Sequence, residues 1–245
     1  MPVPVKLRAP LTCVWRRPDT LQVGVEDATP ISVAAPPRAD AVIADLNRAT
    51  TLDELAARHR SIDRGWIEHV WAVLERDGRL VRPRPAPAIA VEGRGPSARV
   101  LATLLRREGV RVTTDDDPFP AASDLVIVVS ASMEQERSLL NRLVGAGTPH
   151  LLVRTTSEAS TVGPLVLPGR SPCVRCTDLV RRDADPRWPV MLAQLSRTPT
   201  TSSPAHVHRA AATAVSAALG WLRHDVTDMA GTTWHLTGIL QLEVR

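Results

Sequence analysis

The chain has 245 residues, 44% of them hydrophobic, enough to bury a core in one large domain or two small ones. Thirty Lys and Arg oppose 26 Asp and Glu, and the basic side is Arg apart from Lys6, scattered rather than gathered into a nucleic-acid stripe. No run approaches the roughly 18 apolar residues of a membrane span, MPVPVKLRAPL has no signal-peptide core, and three cysteines make no disulfide framework, so a cytoplasmic chain with no membrane or nucleic-acid partner is expected.

The first strand-like runs are Thr12 to Trp15, Thr20 to Val25 and Ile31 to Ala34, parted by Pro18-Asp19 and by Asp27 to Pro30. Helical patterning begins near Asp40. A second helix opens on the capping box Thr51-x-x-Glu54, and a third on Asp63, with Ile67, Val70, Trp71 and Leu74 on one face before Gly78 stops it. Three strands followed by three helices predict a small winged-helix-like unit. Such a unit can read DNA through its last helix, but Glu68 and Glu75 sit on that helix and only Arg64 precedes it. Its other use is peptide capture, an extended ligand adding a strand at the sheet edge.

Pro83, Pro85 and Pro87 cannot continue a helix and mark a linker at residues 83–88, dividing the chain into domains 1–82 and 89–245. Beyond it, Ala88 to Val91 runs into Gly93-Arg-Gly95-Pro96-Ser-Ala98 and a helix carrying Val100, Leu101, Leu104 and Leu105, the opening of a Rossmann-like unit. Strands follow at Val110 to Thr113, Leu125 to Val129 and His150 to Arg154. Between the last two comes a helix opened by a Ser132-x-x-Gln135 box. The alternation predicts an α/β domain built on a parallel sheet covered on both faces. Gly93, Gly95 and Asp115 are the candidate nucleotide residues: the turn can cradle phosphates, and Asp115 lies where a ribose-binding acid belongs. Pro96, however, removes an N–H donor from the anion nest.

Further on, Gly163 to Leu167 reads as a strand, Cys173-x-x-Cys176 as a thiol pair and Asp183 to Trp188 as a DP-x-W segment. Arg197 to Pro204 reads as an exposed, mobile loop. A final helix, Ala205 to His224, carries Val207, Ala211, Ala214, Val215, Ala218 and Leu222 on one face, suited to close packing in the core or against a second subunit. His206, His208, His224 and His235 are the histidines that could complete a zinc site with the two cysteines, but His206 and His208, two apart on a helix, face different directions. No metal is expected.

GPLVLPGRSPCVRC with DPRWP resembles the crossover-loop region of ThiF-like proteins that accompany YcaO enzymes in making azoline-containing ribosomal peptides. Residues 5 to 82 resemble the PqqD-like RiPP recognition element, through L-R-x-P-L, the hairpin Trp15 to Gly24 and the run Arg48 to Leu55. The whole chain thus resembles the TOMM precursor leader peptide-binding, or cyclodehydratase partner, proteins. The resemblance implies a leader peptide paired with Ile31, Ser32, Val33 and Ala34 and packed on Trp66, Ile67, Val70 and Trp71. It also implies a YcaO-type cyclodehydratase partner and a homodimer. Where ThiF-like adenylating enzymes carry Arg and Lys for the triphosphate, Asp115 to Ser123 offers none. The family's acidic magnesium residues are replaced by Val128-Val-Ser-Ala-Ser132, and its second cysteine pair is missing. Neither ATP nor any other cofactor is therefore expected, and the chain reads as a non-catalytic scaffold. The alternatives are a ThiF-like adenylyltransferase activating a carboxylate and a winged-helix DNA-binding regulator.

Overall fold

In the computed structural model, which describes residues 2–83, 85–115, 123–237 and 241–244, the first apolar runs do form strands. The fold is α/β, with two compact units, Met1–Pro85 and Ala86–Arg245. In the first unit, β1 (Lys6–Leu7) is followed by β2 (Cys13–Arg17), β3 (Thr20–Val23) and β4 (Ile31–Ala34), then α1 (Ala39–Asp45), α2 (Leu52–Arg58), α3 (Arg64–Arg76) and β5 (Leu80–Val81). The three strands β2-β3-β4 make an antiparallel sheet in that order, and β1 pairs with β5. That second pair goes beyond the three strands expected.

Period-2 alternation puts Leu21 and Val23 of β3 inside, against Val42 and Ile43 of α1, Leu46, Leu55 of α2 and Ile67, Val70 and Leu74 of α3. The helix starts are fixed locally. The Glu54 N–H donates to Thr51 Oγ1 (3.3 Å) while the Thr51 N–H donates to Glu54 Oε2 (2.9 Å), the reciprocal pair foreseen. Asp63 Oδ2 accepts from the Trp66 N–H at 2.9 Å and caps α3.

In the second unit the elements are β6 (Ala88–Glu92), α4 (Pro96–Arg107), β7 (Arg111–Thr114), β8 (Leu125–Ser130), α5 (Arg137–Gly145), β9 (His150–Thr155), β10 (Ala159–Val166), α6 (Val174–Ala184), α7 (Trp188–Leu195), α8 (Pro204–His224), β11 (Trp234–Thr237) and β12 (Gln241–Val244). They build a sheet of order β12-β11-β10-β9-β8-β6-β7. Only the β7-β6-β8-β9 half is parallel; β10, β11 and β12 add antiparallel strands, so the expected parallel sheet is a mixed one. Both faces of the parallel half are covered, as near-continuous apolar strands require. Ile89, Val91, Leu125, Ile127, Val129, Leu151 and Val153 face α4 and α8. Ala90, Val126, Val128 and Leu152 face Leu140 and Leu143 of α5. The alanines of α8 (Ala210, Ala211, Ala214, Ala218) are buried in the first of these layers, so the small-residue face packs within the chain.

Two local expectations are corrected. Ser132 does not cap α5, which starts at Arg137 with no side-chain cap on Glu136. The reason is Gln135: its buried amide donates to the carbonyls of Val128 and Val153, both at 3.3 Å, and is spent between β8 and β9. Residues 197–204 are not free either. Ser132 bridges Pro199, Thr200 N–H donates to Ala131 O (3.0 Å), and Ser202 Oγ lies 2.7 Å from Thr155 Oγ1.

Candidate functional site

β4 is an edge strand, paired on one side with β3 and, among the described residues, with no strand on the other. In the register Thr20↔Ala34, Leu21↔Val33, Gln22↔Ser32, the bond from Ala35 N–H to Asp19 O fixes the hydrogen-bonded pairs as the odd-numbered positions of β4. The backbone N–H and C=O of Ile31 and Val33 therefore point at β3, while those of Ser32 and Ala34 point outward. The side chains alternate the other way. Ile31 and Val33 are half-buried on the core side, and Ser32 and Ala34 are exposed.

Trp66 borders this edge. Its backbone is held by the Asp63 cap and its indole Nε1 donates to Ala34 O at 2.6 Å, so the half-buried ring lies at the Ala34 end of the strand. Pro30 precedes the strand and Pro36-Pro37 follows it, limiting the open edge to a few residues.

Not every predicted residue reaches this place. Ile67 and Val70 are 1% and 4% exposed, floor rather than contact surface. Trp71 follows Trp66 by five residues, which at about 100° per residue puts it on the opposite flank of the Val70-Leu74-Ile67 stripe. The structure thus brings together the edge of β4, Ile31, Val33 and Trp66, with Ile67 and Val70 in the core and Trp71 on the far flank of α3. The Trp66 indole bond was missed in the sequence because it joins residues 32 apart. Arg64 of the same helix is engaged by Asp53 (2.7 Å) and Glu68 (2.8 Å) at the surface.

In the second unit, the glycine turn closes on itself. Gly93 N–H donates to Asp115 Oδ1 at 3.0 Å, and Arg94 lies 3.6 Å from the other carboxylate oxygen. Glu92 is adjacent; burial first, then the charge of Asp115 and a hydrogen bond with it, push its carboxyl above the ordinary range. The turn therefore presents two acidic groups, with one N–H already taken. Gly93 has a further reason to be glycine: at φ +124° a Cβ would stand 2.3 Å from Val129 O. Gly95, φ +97°, would have no atom within 4 Å of its Cβ.

A third cluster was invisible in the sequence. Glu134 lies 3.0 Å from Arg137, 3.4 Å from Arg181 and 3.6 Å from Arg154, while Arg137 binds Asp178 at 2.7 Å. Trp188 Nε1 donates to Asp178 Oδ1 at 3.0 Å, and the Arg181 guanidinium stacks 4.7 Å from the Trp188 ring centroid. No residue of α6 or α7 is fully buried, and this network holds the hairpin they form together with Val174 on the α5 layer and the Glu134 N–H bond to Leu195 O (3.3 Å). Partial burial would raise the Asp178 pKa, but the hydrogen bonds and charge of Arg137, the Trp188 indole and Arg181 outweigh it and hold the carboxyl below its ordinary value. Its contribution is therefore complete above the unfolded pKa, about 3.9, and is lost as the pH falls through the lower folded value. Acid titration below about pH 4 is expected to shift Trp188 emission, read as the difference between the native chain and Trp188→Phe; an unchanged difference spectrum refutes the attachment.

Cys173 and Cys176 lie at the start of α6, but no group of three or more His, Cys, Asp or Glu able to hold a metal exists among the described residues. His206 and His208 do diverge: their Nδ1 atoms meet Thr156 O (3.2 Å) and Pro204 O (2.8 Å). No described helix is long and apolar enough to cross a membrane.

These features define an α/β chain in which a winged-helix-like unit with an open sheet edge precedes a Rossmann-like unit. Neither a protein-family model nor a curated protein matches the sequence. Solved structures do match the fold. One is a heterocyclase in complex with substrate and cofactor (TM-score 0.68, 15% identity, 100% of this chain and 38% of that one). Another is the heterocyclase TruD (TM-score 0.63, 15% identity, 99% and 41%). A third is E. coli MccB with AMPCPP and MccA (TM-score 0.53, 9% identity, 99% and 96%). The chain spans about two fifths of the length of the heterocyclases it matches.

Proposed function

We propose that the chain is a non-catalytic leader-peptide-binding scaffold that presents a ribosomal precursor peptide to a YcaO-type cyclodehydratase for azoline formation. The observation that carries this reading is the open edge of β4 beside Trp66. Three outward backbone groups remain there, namely Ser32 N–H, Ser32 C=O and Ala34 N–H, the Ala34 carbonyl already accepting from the indole. At about 1 kcal/mol net each, they supply about 3 kcal/mol. Micromolar binding needs about 8. The remainder, and the cost of association and of ordering the peptide, has to come from apolar side chains of the ligand laid on Ile31, Val33 and Trp66, so that at about 25 cal/mol per Å² roughly 200 Å² is a minimum. Backbone pairing thus sets register and the apolar contacts set affinity.

Two more observations support the scaffold reading. Arg64, the basic residue at the start of α3, is paired with two carboxylates rather than free for phosphate, which weighs against DNA. At the glycine turn the Gly93 N–H is already given to Asp115, Arg94 pairs with the same carboxylate, and Asp115 to Ser123 adds no further cation to grip a triphosphate. In this reading the second unit is a degenerate ThiF-like body, cytoplasmic and homodimeric, whose task is docking on the cyclodehydratase. Tethering then raises the effective concentration of the core peptide at the partner's active site.

The test is fluorescence anisotropy on the full chain with the labelled leader of whichever short Cys/Ser/Thr-rich reading frame sequencing finds beside the gene. Saturable binding, competed by the unlabelled leader and not by a scrambled one, is the expected result; equal binding of both sinks the proposal. Calorimetry with magnesium and ATP is expected to give no heat. Micromolar ATP binding would replace the scaffold with the adenylyltransferase.

A further inference from the structure

Cys173 and Cys176 form a sequence motif that peptide capture leaves unused. Their Sγ atoms lie 3.7 Å apart. Cys173 is the N-cap of α6, in extended conformation at φ −97° and ψ 171°, which sets its sulfur at the positive end of the helix beside the first turn. Partial burial alone would raise its pKa, but the N–H groups of Cys176 and Arg175 and the Cys176 thiol outweigh burial and hold it below the usual thiol value. Cys173 is half-buried and Cys176 exposed, so both can be reached from solvent. Among the described residues no further ligand completes a metal group around them. Cys13 is the contrast: burial first, and then the charge of Asp40, push its thiol up.

We propose that Cys173 and Cys176 are a redox-active dithiol that closes to a disulfide by exchange with a small-molecule disulfide such as oxidised glutathione. The Cys173 thiolate attacks one sulfur of the glutathione disulfide; that S–S bond breaks, and one glutathione thiolate leaves with the electron pair. A mixed disulfide on Cys173 remains. Cys176 loses its proton to solvent and attacks Cys173 Sγ, the mixed disulfide breaks, and the second glutathione leaves. Both departing thiolates take up protons, so two electrons have passed from the protein dithiol to glutathione. The new bond staples the first turn of α6, two residues before the Asp178 that Arg137 holds.

The experiment equilibrates the full chain in buffers of stepped reduced-to-oxidised glutathione ratio, traps free thiols with a maleimide and digests with trypsin. Because Arg175 lies between the two cysteines, the disulfide form yields residues 171–175 covalently joined to residues 176–181. The expected result is one two-electron transition in that joined pair, with Cys13 alkylated throughout. Cys176→Ser is expected to stop at glutathione on Cys173 and to lose the joined pair entirely, while Cys13→Ser leaves the transition unmoved. Under limiting maleimide, Cys173 is expected to react about tenfold or more faster than Cys13. Glutathione on both cysteines without a joined pair overturns the proposal. So does an inert pair that reacts only after a chelator has removed zinc.

Discussion

A Ser32→Pro variant is expected to stay folded and to lose leader-peptide binding by at least about tenfold. Proline has no N–H, and within a sheet it is tolerated only where that N–H faces away from the neighbouring strand. Ser32 meets the condition, because the bonds to β3 belong to its odd-numbered neighbours. Removing one of three outward groups and placing a ring on the edge blocks an incoming strand without opening β3–β4. Val33→Pro is the control: its N–H faces β3, so that change is expected to unfold the sheet. Trp66→Ala should weaken binding further, by about 2 kcal/mol or roughly 30-fold, the loss typical of a buried aromatic anchor. Anisotropy reports affinity and circular dichroism reports the fold. Wild-type affinity in both Ser32→Pro and Trp66→Ala would move the peptide site elsewhere.

Gly93→Ala carries the largest expected stability loss. The backbone there sits at φ +124°, and the added Cβ would meet Val129 O at 2.3 Å and Val129 C at 3.2 Å. Both are main-chain atoms of a buried strand and cannot swing away as a side chain end would. Backbone strain of about 1–3 kcal/mol and overpacking of about 1–3 kcal/mol together give roughly 2–6 kcal/mol. For a unit of this size the melting temperature should fall by roughly 5–20 °C in calorimetry. Gly95→Ala, with open space around its Cβ, should show the strain alone. Equal losses in the two variants would mean that the approach of Val129 is not what requires glycine at 93. A larger loss at 93 means that packing accounts for this glycine without any bound phosphate.

Much of the fold could be read from the chain because its signals are local. Thr51 with Glu54 and Asp63 before Trp66 name their helix starts within three residues, and the apolar runs of β6, β8 and β9 are long enough to demand a covered sheet. What escaped depends on partners distant in sequence. β1 and β5 are two residues each and pair across most of the first unit. Ser132-x-x-Gln135 has the letters of a capping box, yet two carbonyls on neighbouring strands compete for the Gln135 amide and win. The antiparallel half hides because β10 is interrupted by Gly163-Pro164, where its register with β9 shifts. At the candidate edge, the strand was legible in Ile31 to Ala34, and Trp66, a large aromatic in the first turn of α3, stood apart from the face of Ile67, Val70, Trp71 and Leu74; what the sequence could not give was the indole bond to Ala34 that ties Trp66 to that edge.

The α6–α7 hairpin, with no fully buried residue and fastened largely by charge, has a dynamic consequence. A piece joined this way can detach without exposing a core, so its opening should require far less free energy than unfolding β8, and salt should lower that cost further by screening Glu134 and Asp178 from their arginines. Amide protons of Val174–Ala184 would then exchange with solvent through local opening, faster in high salt. Those of Leu125–Ser130 would wait for the whole unit to come apart.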